Sequence, residues 1–303
     1  MTRIIFMGTP DYAAAILQSL IAASDIEVVA VYTQPDKPVG RKAVLTPPPV
    51  KVLAQEAGIR VLQPARLRDE DVVAELLSIP CDLIIVAAYG QILPKAILEY
   101  TPCVNLHASI LPQYRGASPI QQSLLHNDSE SGVSAMWMDE GLDTGAIIQT
   151  VRTKIAPDEM ATTLYKKLTD IAVDLTLDVI RNWDRCSALS QNDEEATHCK
   201  KILKSDGLVT FQNGREIYNY YRAFTPWPGI HLESGLKIKS MRLEEENSAG
   251  EAGMIRKIDS EGAVIQCLSG SLRLLRVQAP SKQETSIQEY LNGKRLGCGN
   301  YLV

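Results

Sequence analysis

The chain has 303 residues, 45% of them hydrophobic and 22% charged, and carries a net charge of −5. That balance fits a soluble globular protein of two ordinary domains and excludes a disordered or fibrous chain. No apolar stretch approaches the ~18 residues of a membrane span. The opening MTRIIFMGTP is too short an apolar run for a signal peptide, so a cytoplasmic protein is expected.

The first half alternates in texture. Arg3–Gly8 and Ile26–Thr33 are short apolar runs rich in β-branched residues, and Asp82–Tyr89 is almost continuously apolar. Such runs belong to parallel strands buried on both faces. Asp11–Ala23, Val50–Ala57 and Asp69–Ser78 read as the helices between them. Thr9 is expected to cap the first helix with its hydroxyl, and Pro10 to fill the first helical position. The alternation predicts a Rossmann-like, open, mostly parallel α/β sheet. FMGTPDYA stands where a dinucleotide fingerprint would, but one glycine in place of three argues against NAD. Gln34–Pro49 is a long, proline-rich connection carrying Lys37, Arg41 and Lys42, and by itself it reads as a solvated loop with incidental charges.

The stretch VNLHASILPQYRG, residues 104–116, breaks the apolar strand pattern. In an extended strand Asn105 and His107 point to the same side. Ligands of open α/β sheets bind beyond the C-terminal strand ends, where this pair stands. An amide and a protonated imidazole are donors suited to an oxygen that gains negative charge. Val133–Met138 and Ala146–Ile155 read as further strands, joined by a turn containing EGLDTG. Asp143 in that turn is the candidate carboxylate to orient the imidazole. A turn aspartate bonding its own backbone is the alternative, and spacing does not separate the two.

A helix is expected from about Thr162 to Trp183, and the polar residues 186–206 as a linker after a catalytic domain of residues 1–185. From 207 to 303 short strands follow one another without helices between them, which predicts a small OB-like β-barrel. Residues 200–303 hold eight Lys and seven Arg against eleven Asp and Glu, a net +4 that leaves −9 on the remainder. A polyanionic partner and an idle basic face explain that asymmetry equally well. The six cysteines are scattered, with no CxxC pair, as for reduced thiols. His198 beside Cys199 has no second ligand pair at zinc-site spacing, so no metal is expected.

NLHASILPQYRGASPIQQSLL followed by MDEGLDTGAII resembles the folate-dependent formyltransferases. FMGTPDYAA, TQPDKPVGRKAVLTPPPVK, QPARLRD, AYGQILP and RAFTPWPG match in the same order, so the resemblance spans nearly the whole chain. It implies a catalytic triad of Asn105, His107 and Asp143. It also implies a folate site formed by Tyr89, Gly90, Gln91, Ile92 and Leu93, the turn Ser109, Ile110, Leu111 and Pro112, and Asp139. The reaction implied is formyl transfer from 10-formyltetrahydrofolate to the α-amino group of the initiator methionyl-tRNA. A monomer is expected, and no metal, since the acid–base set is complete and no ligand cluster is visible. Lys37, Arg41, Lys42, Lys201 and Lys204 would then meet the RNA, with the loop at its acceptor end and the barrel on phosphates further along. Two departures are visible: Arg41 is followed by a single lysine, and Phe211 stands where a tryptophan is usual. A related enzyme acting on a small amine would share the triad; only the loop and the basic barrel favour RNA. A catalytically silent RNA-binding protein and a folate hydrolase are the other readings.

Overall fold

The computed structural model describes every residue except Arg41 and Val303. In chain order its first elements are β1 (Thr2–Gly8), α1 (Asp11–Ala22), β2 (Ile26–Tyr32), β3 (Lys37–Val39), β4 (Val44–Thr46), α2 (Pro49–Glu56), β5 (Val61–Leu62), α3 (Glu70–Leu77), β6 (Leu83–Ala87), α4 (Lys95–Leu98), β7 (Cys103–His107), β8 (Arg115–Gly116), α5 (Pro119–Leu125), β9 (Glu130–Trp137), β10 (Ile147–Lys154) and α6 (Ala161–Asn182). After them come β11 (His198–Cys199), α7 (Gly214–Phe224), β12 (Ile230–His231), β13 (Lys237–Ala249), β14 (Ile255–Asp259), β15 (Gly262–Gln266), β16 (Ser269–Gln278), β17 (Thr285–Ser286) and α8 (Ile287–Lys294). The chain divides into two compact units: residues 1–119, 130–154 and 165–199 form the first, and 120–129, 155–164 and 200–303 the second.

The first unit is built on a seven-stranded sheet in the order β10-β9-β7-β6-β1-β2-β5. The β5, β2, β1, β6 and β7 strands run parallel, while β9 and β10 close one side antiparallel. Ile4 to Met7 and Leu83 to Ala87 are buried throughout, which is why these strands read as unbroken apolar runs. The parallel strands therefore end on one edge, at Gly8, Tyr32, Ala87 and His107.

Thr9 does not cap α1. Pro10 occupies the N-cap in an extended conformation, which leaves Thr9 one residue outside the helix. Its hydroxyl instead donates to the Tyr89 carbonyl at 3.1 Å and accepts from the Gln34 amide at 3.4 Å, tying together the loops that follow β1, β2 and β6. The segment Gln34–Pro49, expected as a loop, forms the β3–β4 hairpin, with all six strand residues exposed. Near its base Asp36 accepts from Lys51 and Gln63 at 2.8 Å each. Those two donors, the lysine first, hold the Asp36 carboxyl below its ordinary range.

The second unit carries the antiparallel strands in the order β12-β13-β16-β15-β14, with β17 on β16. The 13-residue β13 slips register four times against β16, so it curls rather than lying flat. Phe211, at the position of the noted departure, is buried. Residues 186–206 fall into both units: 186–199 pack within the first and 200–206 within the second.

The arginine surplus of the second unit is largely engaged internally. Arg215, Arg242, Arg256 and Arg276 pair with Glu246, Glu261, Glu245 and Glu284. Arg273 is buried, at 4% exposure, and bridges Glu244 (2.6 Å) and Asp259 (2.7 Å). Glu244 lies below the ordinary carboxylate range because Arg273 bonds it; Asp259 lies below it because Lys257 and then Arg273 bond it. Arg222, also buried, donates to Asn219 at 2.7 Å and Asn127 at 2.8 Å and lies over the Tyr218 ring. Replacing Arg273 by Met leaves two carboxylates beside an apolar side chain, and the expected cost is about 2 kcal/mol near neutral pH. Because the folded-state carboxylates titrate lower than the unfolded ones, that stabilisation is present above about pH 4 and fades as pH falls below it. Urea denaturation of both proteins across pH 3 to 7 measures the difference, which should shrink toward the acid end.

Candidate active site

Residues Asn105 and His107 lie at the end of β7, on the edge where the parallel strands terminate. Asp143 reaches them from the turn between β9 and β10. Its Oδ1 accepts from Asn105 Nδ2 at 3.1 Å, and its Oδ2 stands 3.6 Å from His107 Nδ1. The other ring nitrogen, Nε2, is 2.9 Å from the Tyr114 carbonyl oxygen. The imidazole is thus flanked by an oxygen near each nitrogen, the Tyr114 carbonyl within hydrogen-bond distance and the Asp143 carboxylate just beyond it. His107 and Asp143 are buried and Asn105 is half-buried. The second amide hydrogen of Asn105 has no protein acceptor among the described residues.

The turn is tightly specified. Asp143 takes φ +56°, a left-handed conformation that aspartate and asparagine tolerate better than most residues. Its Oδ2 accepts the Gly116 amide at 2.8 Å. Asp139 Oδ1 accepts from the Gly141 amide at 3.0 Å and the Thr144 hydroxyl at 2.6 Å, so this expected folate residue pins the same turn. A Cβ at Gly145 would lie 1.7 Å from the Trp137 carbonyl oxygen, and at this position the backbones touch.

The expected folate residues divide by what their side chains do. Ser109 is fully buried and donates to the Gln113 carbonyl at 2.5 Å, closing the turn that holds Leu111 and Pro112. Ser134 of β9 supports that turn from below, donating to the Ser109 carbonyl at 2.8 Å and accepting the Leu111 amide at 3.1 Å. Ile110 is half-buried and Leu111 buried. Gln91 is engaged with the 64–67 loop, accepting the Leu67 amide at 2.7 Å and donating to the Pro64 carbonyl at 3.1 Å. Tyr89 and Leu93 point into the core. Gly90, at φ +85°, and Ile92, 76% exposed, are outward. Lys37, Lys42, Lys201 and Lys204 are exposed and form no ion pair among the described residues. Arg41 lies outside the described residues.

Sequence reasoning missed the contribution of residues 189–199. This strap hydrogen-bonds to Ile147 through Leu189 and pairs β11 with β8. From it Gln191, Asp193, Thr197 and Cys199 reach the site. Arg115, 3% exposed, donates to Gln191 Oε1 at 3.0 Å and to Asp193 Oδ1 at 2.8 Å. Cys199 contacts the Tyr114 carbonyl through Sγ at 3.3 Å, and burial pushes its thiol up from the ordinary range. The polar composition of 186–206 carried no signal for this, because each contact is with residues at least 42 positions away. Among the described residues, no group of three His, Cys, Asp or Glu could hold a metal, and no helix is long and apolar enough to cross a membrane.

Residues 2–180 match the formyl transferase family and residues 201–295 the formyl transferase C-terminal domain. The chain belongs to the formyl transferase family. Among its relatives is a methionyl-tRNA formyltransferase of Sulfurimonas denitrificans, 55% identical over 300 residues that cover 99% of each chain. Another is the methionyl-tRNA formyltransferase of Wolinella succinogenes, 47% identical over all of both chains. A third, of Campylobacter jejuni, is 45% identical over 98% of each. The fold is that of a sugar 3N-formyl transferase solved with dTDP and 5-N-formyl-THF (TM-score 0.67, 19% identity, covering 93% of this chain and 99% of that one). It is also that of an N-formyltransferase from Helicobacter canadensis complexed with folinic acid and dTDP-3-aminofucose (TM-score 0.66, 19% identity, covering 90% of this chain and 99% of that one).

If the turn sets the site, a methyl group at residue 145 should disturb it. Gly145→Ala is expected to lower the thermal midpoint by about 5 °C, since backbone rather than a flexible side chain must move. Differential scanning calorimetry checks this, with Gly293→Ala, which meets nothing within 4 Å inside α8, as the sterically free comparison that should hold or raise the midpoint.

Proposed function

We propose that this chain transfers a formyl group from 10-formyltetrahydrofolate to the α-amino group of the initiator methionyl-tRNA. The observation that carries the reading is the meeting of Asn105, His107 and Asp143 at the end of β7, in a chain whose full-length relatives bear that name. When bound, the folate supplies a formyl carbonyl on N10, and the aminoacyl ester supplies the amine.

The residues present suit such a donor. Ala88 and Gly90 are both left-handed and exposed, so the backbone of the loop after β6 is accessible beside the exposed Ile92, while the Tyr89 carbonyl between them is taken by Thr9 and Gln34. A flat ring with an amide edge needs that combination of backbone partners and an apolar wall. Gln91, Ser109 and Asp139 would then shape the site rather than touch the ring, since their bonds are made within the protein.

The second N–H of Asn105 would stabilise negative charge that develops on the formyl oxygen as the amine adds, a type of contact worth on the order of 3 kcal/mol. His107 would release the Tyr114 carbonyl to assist it. Asp143 holds the imidazole from the opposite side and takes up the proton that the amine loses as its new C–N bond forms. That proton ends on the nitrogen released when the formyl C–N bond breaks, so atoms and charge balance. The exposed β3–β4 hairpin, with Lys37, Lys42 and the outward Val39, Val44 and Leu45, offers the acceptor end both charge and apolar surface. Lys201 and Lys204 would contact phosphates, because the arginines of that unit are mostly engaged with carboxylates.

Incubation with charged initiator and elongator methionine tRNAs plus 10-formyltetrahydrofolate tests the assignment. Formyl-methionine should appear on the initiator, and Asn105→Ala or His107→Ala should each reduce turnover about a hundredfold or more. Equal formylation of both tRNAs, or full turnover by either variant, contradicts the reading. A Lys201→Ala, Lys204→Ala double variant should raise the KM for tRNA and flatten its dependence on salt, with kcat little changed.

A further inference from the structure

We infer that Gln191 is a positioning residue that fixes the carboxylate of Asp143, an inference that rests on the formyl transfer proposed above. It lies in residues 181–200, between the two stretches that match the family. Its side chain nevertheless makes four contacts around the site, the longest a 3.9 Å approach of its amide to the Met136 sulfur.

The orientation of the Gln191 amide follows from its partners. Arg115 Nε is a donor only, so the group facing it at 3.0 Å must be the amide oxygen. The NH2 group then faces the carbonyls of Asp143 at 2.9 Å and Gly145 at 2.7 Å. Both amide hydrogens are used, one on each carbonyl, and these carbonyls bracket the turn that carries the carboxylate. Asp143 is left-handed, so its side chain is aimed only while that backbone conformation holds. Gln191 therefore grips the main chain of the turn, while the neighbour of Arg115, Gly116, grips the Asp143 Oδ2 with its amide. The two grips share one support, because Arg115 and Gly116 form β8.

Gln191 is itself seated on both sides. Leu189 exchanges two backbone bonds with Ile147, at 2.8 and 2.9 Å. Thr197 accepts the Arg115 amide at 2.9 Å, and Cys199 accepts that of Ala117 at 3.1 Å. A Cβ at Gly116 would stand 2.2 Å from the Cys199 carbonyl oxygen, so β8 and β11 lie against each other with no room for a side chain between them. The strap could thus stay in place without Gln191, and its bonds to β8 separate anchoring from aiming.

The decisive variant is Gln191→Glu, which keeps the shape and the Arg115 contact but sets a carboxylate oxygen against two carbonyls. Steady-state formylation of charged initiator tRNA is measured for it and for Gln191→Leu, Asp143→Ala and the Gln191→Glu, Asp143→Ala double variant. The expected result is a fall in kcat of about thirtyfold or more, with both KM values within about twofold. In the Asp143→Ala background the second change should have no further effect, since there is no carboxylate left to aim. Amide hydrogen exchange on the full chain supplies a readout independent of activity. The Gly116 amide should exchange faster in Gln191→Glu, as in Asp143→Ala, while the Arg115 and Ala117 amides bonded to the strap keep their protection. A kcat near wild type, an equal loss in both backgrounds, or unchanged Gly116 exchange each overturns the inference. Wild-type protein that formylates no tRNA would refute the proposed function instead, and the exchange of Gly116 would still decide the role of Gln191.

Discussion

A carboxylate must be carried 38 positions along the chain to meet the amide that it bonds, and the geometry of the site depends on that meeting. Asp143 achieves it through a left-handed backbone in a turn too tight for a Cβ at residue 145. Such a conformation is stable only when its surroundings over-determine it. Here the surroundings are polar: the Gly116 amide on the carboxylate, Gln191 on the carbonyls at 143 and 145, and Asp139 on the amide of 141. The geometry of the site is therefore a property of a hydrogen-bonded network, since no apolar core residue could define the direction of a carboxylate.

The same logic extends along the edge of the sheet. Strand ends leave backbone groups without ladder partners, and buried ones must find others. Thr9 and Gln34 both bond the carbonyl of Tyr89, Tyr12 bonds that of Leu106, and Ser134 bonds both the carbonyl of Ser109 and the amide of Leu111. Thr9, Gln34 and Ser134 each tie down a loop beyond a strand end, and Tyr12 holds β7 itself at the residue between Asn105 and His107. Function and stability meet here, because the groups that satisfy the strand ends also hold the reacting side chains still.

In the second unit, charge has two distinct uses. Arginines are paired with carboxylates, most deeply at Arg273, whose fork reaches Glu244 and Asp259 at once. Lysines such as Lys201 and Lys204 stay exposed and form no ion pair among the described residues. A planar guanidinium suits fixed, bidentate pairing inside a fold, whereas a lysine ammonium on a flexible stem serves as a mobile surface charge. A net charge of +4 counted from sequence does not distinguish these uses.

The parallel strands of the first unit were legible because burial on both faces writes an unbroken apolar run, and Leu83–Ala87 is such a run. Alternation of side chains along a strand likewise put Asn105 and His107 on one side before any coordinates were needed. Motif order revealed the family, since that information is linear. Three things were not linear. Thr9 reads as a cap by residue type, yet its hydroxyl is engaged with partners 25 and 80 positions away. Gln34–Pro49 reads as a loop, because a three-residue hairpin strand with both faces in water leaves no apolar alternation. Gln191 sits in a polar stretch indistinguishable from a linker, and only its folding back onto Ile147 and β8 makes it part of the site. Sequence determines what is periodic or local, because burial and backbone geometry repeat along the chain; tertiary structure alone decides which distant polar groups satisfy one another, because a hydrogen bond depends on where two atoms meet in space.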